Sequence, residues 1–186
     1  MYDSSISDLE RVKSKIKGCK RYKGMIDIME TDERFQIPVG GYTNEIRTMF
    51  KMRKFRSLNV NDPVFTRKFA ESIIQDQSYR SRITEMLTQC YAAKRALDRL
   101  VSIFYDYAIV EFNKDLRILS TQKERDSLLK TLLNRFNKYV EELDTFIQEA
   151  DYYVKDIDKA GYSAKNIAEV YAIVFKREGS VPSGNI

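Results

Sequence analysis

The chain has 186 residues, 43% hydrophobic and 32% charged, with no Trp, no His and a formal net charge of +5. The length fits one domain with an appendage, and aromatics at 12% argue against wholesale disorder. The absence of His removes Ser-His-Asp and Cys-His catalysis and every His-containing metal site.

The two cysteines, Cys19 and Cys90, have no motif partner nearby. That usage fits a reducing intracellular compartment, the host cytoplasm if the protein is viral, with neither a disulfide frame nor a zinc knuckle. The opening MYDSSISDLERVK is polar and is not read as a signal peptide. No apolar run approaches the roughly 18 residues a membrane span needs, so no membrane partner is expected. Nucleotide-binding glycine loops, nucleophile elbows and metal-ligand spacings are lacking. The expectation is a non-enzyme with no cofactor and no metal. Residues 1–68 hold 15 Lys/Arg against 9 Asp/Glu, whereas residues 69–186 hold 17 against 18. The excess positive charge belongs to the N-terminal third, which suggests a segment that faces a polyanion.

In chain order, the first predicted helix runs over about 8–17. Ser7 and Glu10 have capping-box spacing, Ile6, Leu9, Val12 and Ile16 share a face, and Gly18 is a stop. Residues 11–23 carry Arg11, Lys13, Lys15, Lys17, Lys20, Arg21 and Lys23 and no acid. A linker is expected at 31–42, around Pro38, Gly40 and Gly41. A second basic block follows, in which Lys51, Arg53, Lys54 and Arg56 alternate with Phe50, Met52 and Phe55. That period of two predicts either a short strand or a segment that orders on a partner.

Residues 64–160 contain neither Gly nor Pro, a run of 97 residues. Helix interiors reject Gly by about 1 kcal/mol and Pro by about 3, and turns need them, so long helices with few joints are predicted. Asn61-Asp62-Pro63 reads as a helix entry. The helix it opens extends to about Arg117, with Ile83, Met86, Cys90, Ala93, Leu97, Leu100, Phe104 and Tyr107 spaced three and four apart as a seam. Thr121 and Glu124 form a second capping-box spacing. The next helix, 122–159, carries Leu129, Leu133, Phe136, Val140, Leu143, Ile147, Ala150, Val154 and Ile157 in unbroken 4-3 alternation. Gly161 ends it, and Ser163 caps a last helix over 164–176 with Ile167, Val170, Tyr171 and Val174 on one face. The tail GSVPSGNI is read as loose.

The predicted fold is all-α: long amphipathic helices in an elongated, oligomeric bundle with coiled-coil seams. The division expected is a basic arm at 1–60, a long-helix domain at 61–179 and a tail at 180–186. The heptad residues read first as core, with a partner that is either this chain or another subunit; the expectation is that Leu129, Leu133, Phe136, Val140, Leu143, Ile147, Val154, Ile157, Ile167, Val170, Tyr171 and Val174 join subunits and hold the oligomer.

The basic segments read either as solvated faces or as phosphate contacts, with Phe50, Phe55, Tyr2, Tyr22 and Tyr42 as stacking platforms for unpaired bases. Arg80, Arg82, Lys94, Arg95 and Arg99 form a further basic group on the long helix. Arg95 is one turn from both Tyr91 and Arg99, which makes one face basic. The acids Glu141, Glu142, Asp144, Glu149, Asp151, Asp156 and Asp158 read as a solvated face, since an exposed helix offers no dry pocket for catalysis or for a hard cation.

Two stretches, SYRSRITEMLTQCYAAKRALDRLVSIFYDY (78–107) and YVKDIDKAGYSAKNIAEVYAIVFKREG (153–179), resemble the UvsY-type recombination mediator family of large tailed phages. The likeness spans about residues 62–178 and leaves the first 60 unmatched. It implies a non-enzymatic helical protein that self-assembles into rings and binds single-stranded DNA. It also implies as partners a RecA-like recombinase and the single-stranded-DNA-binding protein that the recombinase displaces. The family's DNA contacts map onto Lys94, Arg95 and Arg99, and its assembly helix onto about Ser163–Phe175. Arg80, Arg82 and the block Lys51, Arg53, Lys54 and Arg56 complete the expected DNA-binding set. The rival expectations are a coiled-coil scaffold, or a small regulator that docks an acidic partner through the basic arm.

Overall fold

Helix formation starts at the N-terminus, where Val12 and Ile16, one turn apart, are buried to 1% and 0% exposure. They lie on α1 (Asp3–Gly18). The chain breaks at Cys19, whose sulfur accepts the Tyr22 amide at 3.3 Å and caps α2 (Lys20–Thr31). Asp32 caps a single 3-10 turn, Glu33–Phe35, by accepting from the Arg34 amide. The remaining helices are α3 (Val39–Lys51), α4 (Phe65–Glu111), the short α5 (Asn113–Leu116), α6 (Gln122–Leu132) and α7 (Asn134–Glu178), with a second 3-10 turn at Lys54–Ser57.

The computed structural model describes residues 3–59 and 64–178, with side chains left undescribed at 3–7, 56 and 174–178. The Ser7 cap, Ile6, Tyr2, the Asn61-Asp62-Pro63 entry, the side chains of Arg56 and Val174 and the 180–186 tail therefore lie outside the described residues. Within them every regular element is helical, as the glycine- and proline-free run predicts. No strand forms at 50–56, because α3 continues through Lys51 and Arg53 is drawn into a buried ion cluster.

The chain divides into two compact units, 1–40 with 87–147 (unit 1) and 41–86 with 148–186 (unit 2). The expected boundary at 60 is not where the chain divides. Residues 3–40 pack as part of unit 1, with Tyr22, Met25 and Phe35 buried there, and residues 41–59 belong to unit 2. The 31–42 stretch is mostly structured, because Gly40 and Gly41 fall in the first turn of α3.

Unit 1 is closed by apolar residues of four helices. Val12 and Ile16 come from α1, Leu97 and Phe104 from α4, Leu128 and Leu129 from α6, and Phe136 and Leu143 from α7. The 122–159 helix is interrupted at Leu133, whose φ of −88° and ψ of 2° close α6. Phe136 N–H then bonds the Leu133 carbonyl at 2.9 Å. This leaves the Leu132 carbonyl for the Tyr22 hydroxyl, which donates to it at 3.0 Å. A helix end must satisfy its last carbonyls somehow, and here a side chain from α2 does so. The Thr121–Glu124 capping box forms as predicted, with both reciprocal bonds present.

In unit 2 the core contains Ile46 of α3, Phe65, Ile83 and Met86 of α4, and Ala150, Ile157 and Ala164 of α7. Gly161 does not end α7 and Ser163 does not cap a new helix. The backbone stays helical at negative φ, and Ser163 Oγ donates to the Lys159 carbonyl one turn back. An interior Gly costs about 1 kcal/mol, which 45 residues of amphipathic packing outweigh.

Candidate nucleic-acid interface

In unit 1, α4 presents Tyr91, Arg95 and Arg99 at successive turns. Tyr91 is 39% exposed and both arginines are exposed. Among the described residues neither Arg95 nor Arg99 has a hydrogen-bond or ion-pair partner. Spacing of four residues places them about 6 Å apart along the axis. The core side of the same helix, Cys90, Ala93 and Leu97, is fully buried and fixes the face that Tyr91, Arg95 and Arg99 turn outward.

Lys94 behaves differently. Its ammonium donates to Asp144 of α7, and that bond holds its pKa above the ordinary lysine value. Within unit 1, Arg135 likewise pairs with Glu30 at 2.8 Å and Lys15 with Asp115 at 2.7 Å. Arg11 and Lys13 pair with Asp8 and Glu10 on their own helix. Lys17, Lys20, Arg21 and Lys23 are exposed, with the Arg21 guanidinium 4.5 Å from the centre of the Tyr107 ring.

In unit 2 the expected phosphate-binding cations are mostly committed to carboxylates. Arg80 bonds Asp158 at 2.7 Å, and Arg82 bonds Glu45 at 2.9 Å and Glu85 at 2.8 Å. Each guanidinium is held above its usual pKa by those bonds. Lys54 pairs with Glu71 at 3.1 Å, and Lys51 is exposed. Arg53 is a correction to the expected set. Its side chain is 1% exposed, giving two hydrogen bonds to Asp76 (2.8 and 2.6 Å) and one to Asp156 (2.5 Å). It ties α4 to α7 within the unit and cannot reach a phosphate. Half-exposed pairs such as those of Arg80 and Arg82 are worth about 0–1 kcal/mol, so they could exchange a carboxylate for a phosphate at small cost, whereas Arg53 could not.

The expected stacking platforms are also largely occupied. Tyr22 is buried, and burial pushes its phenol up. Phe50 packs on Tyr153 with ring centres 4.1 Å apart, and Tyr42 lies under the Arg82 guanidinium. Tyr91 is an exposed ring one turn from Arg95; that neighbourhood is legible in the sequence, but the exposure is not.

Most of the seam residues expected to join subunits are covered by the chain itself. Leu129, Leu133, Phe136, Leu143, Ile147 and Ile157 are at most 6% exposed, and Val140 and Val154 are half-buried. Their partner is intramolecular. Tyr171 stacks on Phe65 within unit 2 at 5.6 Å and Ile167 is half-buried, whereas Val170 is 60% exposed. Among the described residues no helix is long and apolar enough to cross a membrane. Set against protein-family models, curated proteins and solved structures, the chain matches none.

Proposed function

We propose that the protein is a non-enzymatic, single-stranded-DNA-binding recombination mediator that helps load a RecA-like recombinase against the single-stranded-DNA-binding protein. The observation that carries the reading is the exposed Tyr91–Arg95–Arg99 stripe on α4, which lies inside the first stretch that resembles the UvsY-type family. Two uncommitted guanidinium groups can neutralise phosphates and release counterions. An exposed ring one turn away can stack on an unpaired base, which duplex DNA does not offer. Lys94, Arg80 and Arg82 would join by giving up their carboxylates. Self-association, which the resemblance also implies, would fall to the exposed α7 face of Tyr162, Val170 and Ile173, since the heptad residues are spent on the intrachain core.

The test is fluorescence anisotropy of a labelled oligo-dT strand, and of a duplex of equal length, titrated with protein across a salt series. Single-strand binding should be tighter. Arg95→Ala/Arg99→Ala should weaken it and reduce the log–log salt slope by about 1.4, two contacts at about 0.7 each. Tyr91→Ala should cost about 1–3 kcal/mol of binding without changing the slope. Unchanged affinity in the double arginine variant would remove this site, and no binding at low salt would remove the nucleic-acid reading.

A further inference from the structure

A groove of about 380 Å³ runs between α2 and α4 in unit 1. Its floor is Met25 and Phe104, 2% and 3% exposed, and its walls carry Leu100, Ile28 and Ile103. Ile28 and Ile103 are 40% and 50% exposed, so this apolar trough is open to water. Lys20 and Arg21 line one end of it. Among the described residues neither has a carboxylate partner.

Gly24 lies at the centre of the groove, one turn from both Lys20 and Ile28. It is an expensive residue there, because Gly inside a helix costs about 1 kcal/mol against Ala. Nothing in the fold demands it: its φ is not positive, and an added Cβ would meet no atom within 4 Å. What the missing side chain does achieve is to keep the trough open.

We infer that this groove docks an amphipathic helix of a partner protein, with acidic residues at the end that meets Lys20 and Arg21. The nine residues from Lys20 to Ile28 rise about 12 Å, which seats two turns of a ligand helix and three apolar anchors at i, i+3 or i+4, and i+7. The cations at the groove end are joined there by the positive N-terminal end of α2, which favours carboxylates. Lys17 and Lys23 add exposed positive charge nearby in sequence. Nucleic acid fits the trough poorly. Its exposed walls are aliphatic, and the Phe104 ring is too deeply buried to stack on a base. The inference is independent of the DNA-binding reading, since it uses neither Tyr91, Arg95 nor Arg99.

The experiment titrates full-length protein into labelled amphipathic peptides of about 16 residues. They share Leu at i, i+3, i+4 and i+7, and carry Glu or Lys at one end. The Glu peptide should bind and the Lys peptide should bind at least about tenfold more weakly. Gly24→Leu fills the trough and should weaken Glu-peptide binding at least tenfold while leaving the melting temperature unchanged or higher. Ile103→Asp, on the opposite wall, should weaken it as well. Lys20→Glu/Arg21→Glu should reverse the peptide preference. Oligo-dT binding should survive Gly24→Leu and fall in Arg95→Ala/Arg99→Ala, which separates this site from the proposed DNA site. No Glu-peptide binding, equal binding of the Lys peptide, full binding by Gly24→Leu, or competition of the peptide by oligo-dT or by a second copy of the chain overturns the inference.

Discussion

Replacing Arg53 with Met should destabilise unit 2 more than the loss of any exposed ion pair in the chain. The guanidinium is 1% exposed and is satisfied by three hydrogen bonds to two carboxylates. Burial works to lower its pKa, but the bonds and charges of Asp76 and Asp156 outweigh that and raise it. The cation is therefore held firmly in place. Met approximates the stem and removes the charge, which leaves the Asp76 side chain, 9% exposed, as an uncompensated buried carboxylate. Breaking a buried pair by removing one partner costs about 3–5 kcal/mol. Asp156, at 34% side-chain exposure, can rehydrate, which favours the lower end of that range. At about 2–4 °C per kcal/mol for a chain of this size, the melting temperature should fall by about 10 °C.

Urea unfolding followed by circular dichroism measures the cost, with the slope compared between variants to check that the transition itself is unchanged. Two further variants separate a buried pair from a lost contact. Arg53→Met/Asp76→Leu removes both charges and should recover most of the loss, because apolar replacement of a buried pair is often neutral or stabilising. Arg82→Ala, which breaks half-exposed pairs, should cost less than about 1 kcal/mol. A loss in Arg53→Met no larger than in Arg82→Ala, or a double variant worse than the single one, would refute the reasoning.

Tyr22→Phe should cost about 1–3 kcal/mol, because it leaves the buried Leu132 carbonyl without its donor. Burial raises the Tyr22 pKa from 10.0, so the folded chain keeps a proton that the unfolded chain releases. Stability should therefore fall as pH rises past about 10, and Tyr22→Phe should flatten that limb in alkaline melts. Asp32 titrates at about 2 instead of 3.8, chiefly through its hydrogen bonds from Arg34. Its contribution is present above pH 4 and lost as pH falls through about 2, and Asp32→Asn should remove that part of the acid dependence. Burial pushes the fully buried Cys90 thiol up to about 11. Iodoacetamide near neutral pH should label the half-buried Cys19 first and reach Cys90 only on unfolding, as peptide mapping would show. Gly161→Ala should stabilise the chain by about 0.5–1 kcal/mol in urea melts, since the added Cβ meets nothing.

The helical class was legible because apolar spacing and the absence of Gly and Pro over 64–160 report directly on local conformation. The seam over Ile83–Phe104 was legible for the same reason, and its members are buried almost without exception. The joints were not. Local punctuation marked Gly161 as a stop, but packing carried α7 through it. Nothing local marked Leu133, where the break frees the Leu132 carbonyl for the hydroxyl of Tyr22, 110 residues from Leu132. A 4-3 pattern does not distinguish one helix from two that turn the same stripe to one core.

The charged residues show the same limit more sharply, and there it bears on function. Arg53 and Lys54 are neighbours in a basic block, yet one is sealed against Asp76 and the other is 53% exposed against Glu71. Lys94 and Arg95 are neighbours on α4, yet one answers Asp144 and the other stands without a partner among the described residues. The acids over 141–158 read in sequence as a solvated face, but Asp144, Glu149, Asp156 and Asp158 each hold a cation from outside α7. A count of charge along the chain therefore overstates the surface available to a polyanion. On α4 the rotation that buries Leu97 turns Arg95 and Arg99 outward, and among the described residues no carboxylate meets either of them.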